Sequence, residues 1–399
     1  MTTVERCLDP AAVQQALQGL LPDSGAVRIV ASRRNASRHR NPNPLTLRYE
    51  VDVAGTPRGF YGKVFRDGAS ALADPGAPVL HVASLDLLLW PWPADPGLAQ
   101  LPALLDPAVT QPWWNANALH IDALRYEPEQ RATLRYTAAD GRTLFAKTFS
   151  DGRGEAIHRR FEHFWQLARH DPQAPRVAEP LGYTPRTRTL WQAPATGQPL
   201  ANLPPDDQLA AACAQALAAL HAAPLELAGP QARDRAHWLG EVRRRQRKIT
   251  RSAPELAGRL ARVADAIEAA AAALAPTSLG LIHGDCHPDQ LWVDGERIVL
   301  FDFDEFTLGD PMEDLAAFVV KLDMRSDGSR FAAQLLASYA QAAPGRFHQH
   351  ALRWHLAVQQ LLQASRAFVF QVPGWRDELA SRLARTEALV LHDRIEVPS

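Results

Sequence analysis

Residues 281–306 read LIHGDCHPDQLWVDGERIVLFDFDEF and hold two histidines, five aspartates and a glutamine among apolar runs. Carboxylates packed this closely beside strand-like segments either decorate loops or hold a cation. Magnesium takes hard oxygen ligands at about 2.0–2.1 Å in near-octahedral geometry and keeps several waters. One or two carboxylates with an amide carbonyl, completed by phosphates and water, meet that demand. Gln290 and Asp302, on either side of the hairpin LWVDGERIVLF, can supply the protein's share. Asp285 lies five residues before Gln290, on a loop facing the same cavity, where it can accept a proton from an attacking hydroxyl. Cys286 packs, with nothing nearby to activate it as a thiolate.

These side chains need strands and helices to place them. LGLIHGD, QLWVDG and RIVLFDFD read as short strands around loops inside a region that is otherwise helical from DDQLAAACAQALAALHAAP onward. Upstream, PLTLRYEVDV and RGFYGKVF read as strands, VLHVASLDLLLWPW follows, and PADPGLAQLPALLDP reads as a turn and short helix. The pattern then recurs. ATLRYTAADGRTLFAKTFSDG repeats the order of LTLRYEVDVAGTPRGFYGKVFRDG: Thr-Leu-Arg-Tyr, a turn, an aromatic-x-Lys-x-Phe strand and Asp-Gly. A structural duplication of one small sheet accounts for this; two unrelated hairpins of similar composition are the alternative. The second copy continues into GEAIHRRFEHFWQLARH, with apolar residues at helical spacing (Ile157, Phe161, Phe164, Trp165, Ala168), then two further strands and a Pro/Gly-rich link.

The whole chain has 399 residues, is 46% hydrophobic and 22% charged, and carries a net charge of -1, which fits a globular protein of two or three domains. No basic field points to nucleic acid. Cys7, Cys213 and Cys286 form no CxxC pair and suit a reducing cytoplasm. The first 23 residues read as an amphipathic helix without the basic start and apolar run of a signal peptide, and no stretch reads as a membrane anchor. Of 43 basic residues only Lys63, Lys147, Lys248 and Lys321 are lysines, so a lysine here is more often needed as such.

HGDCHPDQ followed by LFDFDEFTLGDPMEDLA resembles the catalytic loop and metal segment of the aminoglycoside phosphotransferase/choline kinase family, closely over residues 283–317 and more loosely over 118–399. The family pattern is His-Gly-Asp-x-His-x-x-Asn, an apolar strand ending in Asp, then Gly-Asp-Pro-x-x-Asp-Leu-Ala. The resemblance implies an α+β, bilobal protein-kinase-like fold: a small mixed or antiparallel β lobe, a mainly helical C-terminal lobe, and an extra N-terminal α+β subdomain. The corresponding segments are 1–116, a duplicated sheet; 117–197, the nucleotide-binding lobe; and 198–399, the lobe with the catalytic loop and acceptor site. It also implies ATP and Mg2+ as cofactors and a small-molecule hydroxyl acceptor as partner. Asp285 resembles the catalytic base and Asp302 the metal-binding aspartate. Gln290 stands where the family usually has asparagine; it keeps the carbonyl but adds a methylene. Asp304 supports a second metal position or caps the turn. His283 and His287 hold the loop backbone, and Asp310 and Asp314 pin a helix start and the preceding loop.

Kinases place a strand lysine on the triphosphate and hold it with a helix glutamate. Lys147 fits the first role and Glu162, preferred over Glu155, the second. Lys63 has the same strand context but no following helix, so it belongs to a non-catalytic sheet. No GxGxxG precedes Lys147. Backbone amides around Glu129–Ala132, helped by Arg131, would cover the phosphates, and Gln192, Ala193 and Ala195 in the link would meet adenine. The acceptor would bind within residues 205–260 and 325–375, where Trp238, Tyr339, Trp354 and Arg366 are contacts or core. The extra sheet resembles that of maltokinase-type sugar kinases, which favours a sugar or polyol over an aminoglycoside. Two other readings stay open: a nucleotide-binding regulatory pseudokinase, and a phosphohydrolase with His283, Asp285, His287 and Asp302 around two metals.

Overall fold

The computed structural model describes residues 2–35, 44–66, 68–72, 79–114, 118–171, 174–227, 232–251, 253–322, 328–370 and 374–391. The chain divides into two compact units: Met1–Gly152 with Thr184–Thr189 and Arg366–Trp375, and Arg153–Tyr183 with Leu190–Ser365 and Arg376–Ser399. This division groups the first sheet with the strands that carry Lys147, rather than following the boundaries at 116 and 197.

In the first unit the expected single N-terminal helix is two, α1 (Thr3–Cys7) and α2 (Pro10–Gln18). Pro10 cannot continue a helix and instead opens α2 behind Asp9, whose side chain accepts from Ala11 N–H. A five-stranded sheet follows: β1 (Ser24–Arg34), β2 (Leu45–Val53), β3 (Thr56–Val64), β4 (Leu80–Val82) and β5 (Leu87–Pro91), in the order β1-β2-β3-β5-β4. On β2 the alternate residues Leu45, Leu47, Tyr49 and Val51 are buried against Val13 and Leu17 of α2, as strand periodicity requires. After the short helix α3 (Leu101–Leu104) come β6 (Ala118–Glu127), β7 (Arg131–Ala138) and β8 (Thr143–Phe149), paired antiparallel in sequence.

The two hairpins that the sequence pattern relates share a backbone register. Lys63 on β3 stands opposite Thr46, and Lys147 on β8 stands opposite Thr133, the first residue of Thr-Leu-Arg-Tyr in each copy. The tyrosines match as well. Tyr49 OH donates to the carbonyl of Cys7 at 2.7 Å and Tyr136 OH to that of Leu104 at 2.8 Å, each the last residue of a short helix. Between β3 and β4 the described residues hold no α-helix, only a 3-10 turn at Ala69–Leu72; residues 67 and 73–78 of that link lie outside them.

The second unit starts with α4 (Arg153–His170), whose Ile157, Phe161 and Phe164 are buried as the apolar spacing predicts, while Trp165 and Ala168 are half-buried. Short strands β9 (Arg176–Val177), β10 (Pro180–Thr184), β11 (Thr189–Gln192) and β12 (Gln198–Pro199), of which Thr184 and Thr189 fall in the first unit, lead to helices α5 (Asp207–Ala222), α6 (Arg235–Thr250) and α7 (Ala257–Ala273), with β13 (Ala232–Arg233) between α5 and α6. Then come β14 (Gly280–Ile282), the hairpin β15 (Leu291–Asp294) and β16 (Arg297–Leu300), and β17 (Thr307–Gly309). Helices α8 (Pro311–Leu322), α9 (Gly328–Ala342), α10 (Gln349–Val369) and α11 (Trp375–Leu391) complete the chain. Sheets β12-β15-β16-β9 and β13-β17-β14 lie over a core built from α5, α8 and α9 residues such as Leu217, Leu220, Leu315, Phe318 and Leu335. Among the described residues no helix is long and apolar enough to cross a membrane.

Candidate functional site

The β15–β16 hairpin brings Gln290 and Asp302 together. Its ladder runs from Asp294↔Arg297 at the turn to Leu291↔Leu300, and Phe301 N–H donates to Gln290 O at 2.9 Å, extending it one step beyond the strands. The next side chains outward therefore meet at the open end: Gln290 Nε2 lies 3.3 Å from Asp302 Oδ2. Which amide atom faces the carboxylate is set by the hydrogen-bond network, and turning the amide over presents its carbonyl instead. Asp302 sits in the left-handed region with φ 57°, a conformation that an aspartate holds at a cost and that recurs at functional sites. Asp304 is half-buried in the following 3-10 turn, where its charge and that of Glu305 act on the Arg160 guanidinium.

The loop between β14 and β15 is held by buried groups on α8 and α5. Asp314 Oδ2 accepts from His283 N–H at 2.6 Å, and Oδ1 accepts from Gly284 N–H at 2.9 Å. The same carboxylate lies 3.2 Å from His221 Nε2, while His221 Nδ1 is 2.7 Å from Tyr339 OH. Burial would raise the Asp314 carboxyl, but hydrogen bonding and the charge of His221 together with the loop contacts hold it below the usual range. Gly284 has φ 78°, and a Cβ there would collide with the Glu305 carbonyl, so only glycine fits. Arg233 Nη1 donates to Gly284 O at 2.6 Å and to Glu313 at 3.0 Å, and Nη2 pairs with Glu305. Glu313 also accepts from Trp238 Nε1 at 2.9 Å, and burial pushes its carboxyl up to about 8.

His283, to which the resemblance gives a loop-support role, has Nε2 at 2.5 Å from Phe301 O. Asp310 acts one step removed: its Oδ1 accepts from Met312 N–H at 2.9 Å and caps α8, the helix from which Asp314 reaches the loop. The two-metal arrangement is not assembled. His283 Nε2 is bound to a carbonyl, and among the described residues no three His, Cys, Asp or Glu side chains gather as metal ligands. An amide and one carboxylate at a hairpin end instead match the donor set of a magnesium ion completed by phosphate and water.

Asp285 is half-buried, its side chain 41% accessible. Oδ1 lies 3.2 Å from Lys321 Nζ on α8, and Oδ2 lies 3.9 Å from His287 Nε2. Burial, then the Lys321 charge, lowers His287 to about 4, so it is neutral at physiological pH. Lys321 was not foreseen as a site residue, although its rarity as a lysine was a signal.

The nucleotide-side residues are split between the units. Lys147 is half-buried on β8, 6.0 Å from the Phe149 ring centre. The β6–β7 turn is committed to the protein: Glu129 N–H donates to Asp95 Oδ2 at 2.9 Å, and Gln130 N–H to Glu127 O at 3.0 Å. Phosphate cover by these two amides would have to displace those bonds. Arg131 Nη2 donates to Glu127 at 3.0 Å. Lys63, expected to be a leftover of the duplication, pairs with Glu129 in this turn. In the other unit, Glu162 is exposed on α4 with His158 Nε2 at 3.9 Å. Gln192 ends β11, Ala193 N–H donates to Glu179 O at 2.9 Å, and Ala195 is half-buried in the link.

Of the acceptor-side candidates, Tyr339 and Trp354 belong to the core, with Trp354 Nε1 donating to Ile267 O at 2.9 Å. Trp238 is buried on Glu313, and Arg366 lies over the Phe370 ring at 5.5 Å. Residues 228–231, 252, 325–327 and 371–373 of the expected acceptor region lie outside the described residues.

The profile of the phosphotransferase enzyme family matches residues 127–355. No curated protein matches the chain by sequence. Among solved structures, a thermostable aminoglycoside phosphotransferase APH(4)-Ia variant in ternary complex with AMP-PNP and hygromycin B is 17% identical, with TM-score 0.54 over 73% of this chain and 99% of that one. A further variant, with ADP and hygromycin B, is 16% identical at TM-score 0.53, over the same shares. A choline/ethanolamine kinase family protein from Mesorhizobium loti is 19% identical, with TM-score 0.48 over 68% of this chain and 87% of that one. The APH(4)-Ia matches identify the fold as that of aminoglycoside phosphotransferases.

Proposed function

Since the chain belongs to the phosphotransferase enzyme family, we propose that it is an ATP- and Mg2+-dependent kinase that transfers the γ-phosphoryl group to a hydroxyl of a small polar molecule. The observation that carries this reading is the meeting of Gln290 and Asp302, 3.3 Å apart at the hairpin end, with Asp285 on the loop that leads into it. Asp285 orients the acceptor hydroxyl and takes its proton. The acceptor oxygen bonds to the γ-phosphorus as the bond to the β–γ bridging oxygen breaks, and that oxygen leaves on ADP. Mg2+, when held by Gln290 and Asp302 with Asp304 beside them, supplies charge neutralisation at the β- and γ-phosphates.

Lys147 adds an ammonium to the phosphates and Glu162 holds it, with Arg131, at the β6–β7 turn, helping to cover the phosphates; Gln192, Ala193 and Ala195 meet adenine. Segment 117–197 carries the nucleotide and 198–399 the acceptor, with 1–116 as an added subdomain. Sugars and polyols lead the acceptor classes, followed by aminoglycoside-like compounds, since hygromycin B is bound in the APH(4)-Ia complexes. Three free, buried cysteines suit the cytoplasm.

Asp285→Ala should abolish transfer and leave nucleotide affinity within about twofold; full turnover in that variant rejects the assignment. A second reading, a nucleotide-binding regulatory pseudokinase, is favoured by the committed amides of Glu129 and Gln130 and by the longer Gln290 arm. Nucleotide binding without acceptor-dependent ADP release across a panel of sugars, polyols, amino alcohols and aminoglycosides would select it.

A further inference from the structure

Helix α8 grips the catalytic loop twice. Near its start Asp314 accepts from the His283 and Gly284 amides. Seven residues on, two turns along the same face, Lys321 Nζ reaches Asp285 Oδ1 at 3.2 Å. The first grip fixes the loop backbone and the second fixes the side chain that the loop carries. Lys321 is largely sheltered, at 19% side-chain accessibility against 41% for Asp285, so its ammonium lies on the inner side of the pair.

The hold is one-armed. Oδ1 is taken by the ammonium, whereas among the described residues Oδ2 has only His287 at 3.9 Å, beyond hydrogen-bond reach. An ammonium is a point charge that can hold one oxygen, while a guanidinium presents a planar fork that closes on both oxygens of a carboxylate. This chain uses arginine for nearly all its positive charge, with only four lysines among 43 basic residues, and it keeps a lysine here.

We propose that Lys321 is a positioning residue for the transfer: it anchors Oδ1 of Asp285 so that Oδ2 faces the acceptor hydroxyl and takes its proton. This rests on the assignment of Asp285 as the base. The competing account is a cation in the last turn of α8 that only steadies the helix, a role arginine fills equally well.

Wild type, Lys321→Met and Lys321→Arg are compared with MgATP and whichever of glucose, maltose, choline and hygromycin B the wild type phosphorylates. Water is the acceptor, followed as ADP release, if it phosphorylates none. In Lys321→Met, kcat should fall about tenfold or more, with KM for MgATP within about twofold and the melting temperature within a few degrees. Lys321→Arg should melt like the wild type yet stay about threefold or more below it in kcat, because its fork covers Oδ2. Wild-type kcat in Lys321→Met overturns the proposal, and so does full kcat in Lys321→Arg. A wild type inert towards every acceptor and water, with Asp285→Ala indistinguishable from it, would instead refute the assignment of Asp285 itself.

Discussion

In the first sheet Lys63 stands opposite Thr46, and in the second Lys147 stands opposite Thr133, with a buried tyrosine three residues after each threonine donating to a helix-end carbonyl. Backbone plan, register and lysine are shared; the chain that follows differs. After β8 comes the 18-residue helix α4, where the kinase reading seeks a glutamate partner for Lys147. After β3 the chain makes a 3-10 turn and, beyond residues 73–78, returns as β4 and β5. Lys63 instead takes Glu129 from the turn of the other copy, its ammonium 5.7 Å from the Trp90 ring centre and 5.9 Å from that of Tyr61. One hairpin design thus provides a candidate phosphate cation in one copy and a fastening between two sheets in the other. A repeated sequence specifies the backbone; what the lysine does is set by the surface it faces.

Replacing the two lysines tests this division most sharply. Lys147→Met should lower kcat/KM by about 10²-fold or more with little change in melting, since the lost charge acts on the transferred phosphate. Lys63→Met should do the reverse. The ion pair is partly exposed, at 22% and 34%, so its loss should cost roughly 1–2 kcal/mol in urea unfolding while kcat stays within about threefold. Equal losses of activity in both variants would erase the distinction. Gly97→Ala probes the same fastening sterically: a Cβ there would lie 2.6 Å from Glu129 Cα, and about 1–3 kcal/mol of destabilisation is expected. The smallest effect is a matched control. Gly55 and Gly141, in the turns of the two hairpins, have φ 79° and 81° with open space around them. Alanine at either should cost about 1 kcal/mol, and markedly unequal costs would show that the hairpins are not equivalent.

The shared register of the two hairpins was legible because strand alternation and a Thr-Leu-Arg-Tyr signature are local patterns. The Gln290–Asp302 meeting was equally legible, since a two-stranded hairpin fixes which flanking residues come together. The contacts from distant segments were not. Arg233 on Gly284 O, His221 beneath Asp314, Asp95 on the Glu129 amide and Lys321 on Asp285 each join single residues dozens of positions apart, and no periodicity announces them. The N-terminal helix was read too long because an amphipathic pattern runs through Pro10, where the missing N–H and fixed φ start a new helix.

Asp95 has a consequence for attempts to isolate a smaller catalytic fragment. Its buried carboxylate accepts from Tyr126 OH at 2.7 Å, Glu129 N–H at 2.9 Å and Gly97 N–H at 2.8 Å. The first two donors lie beyond any cut made at residue 117. A fragment starting there would strip both of their shared acceptor and uncover the apolar patch formed by Tyr126 and Ala132 with Trp90, Leu98 and Leu101. Such a truncation should come out of expression as self-associating material, and adding back residues 1–116 as a separate polypeptide should raise its soluble yield.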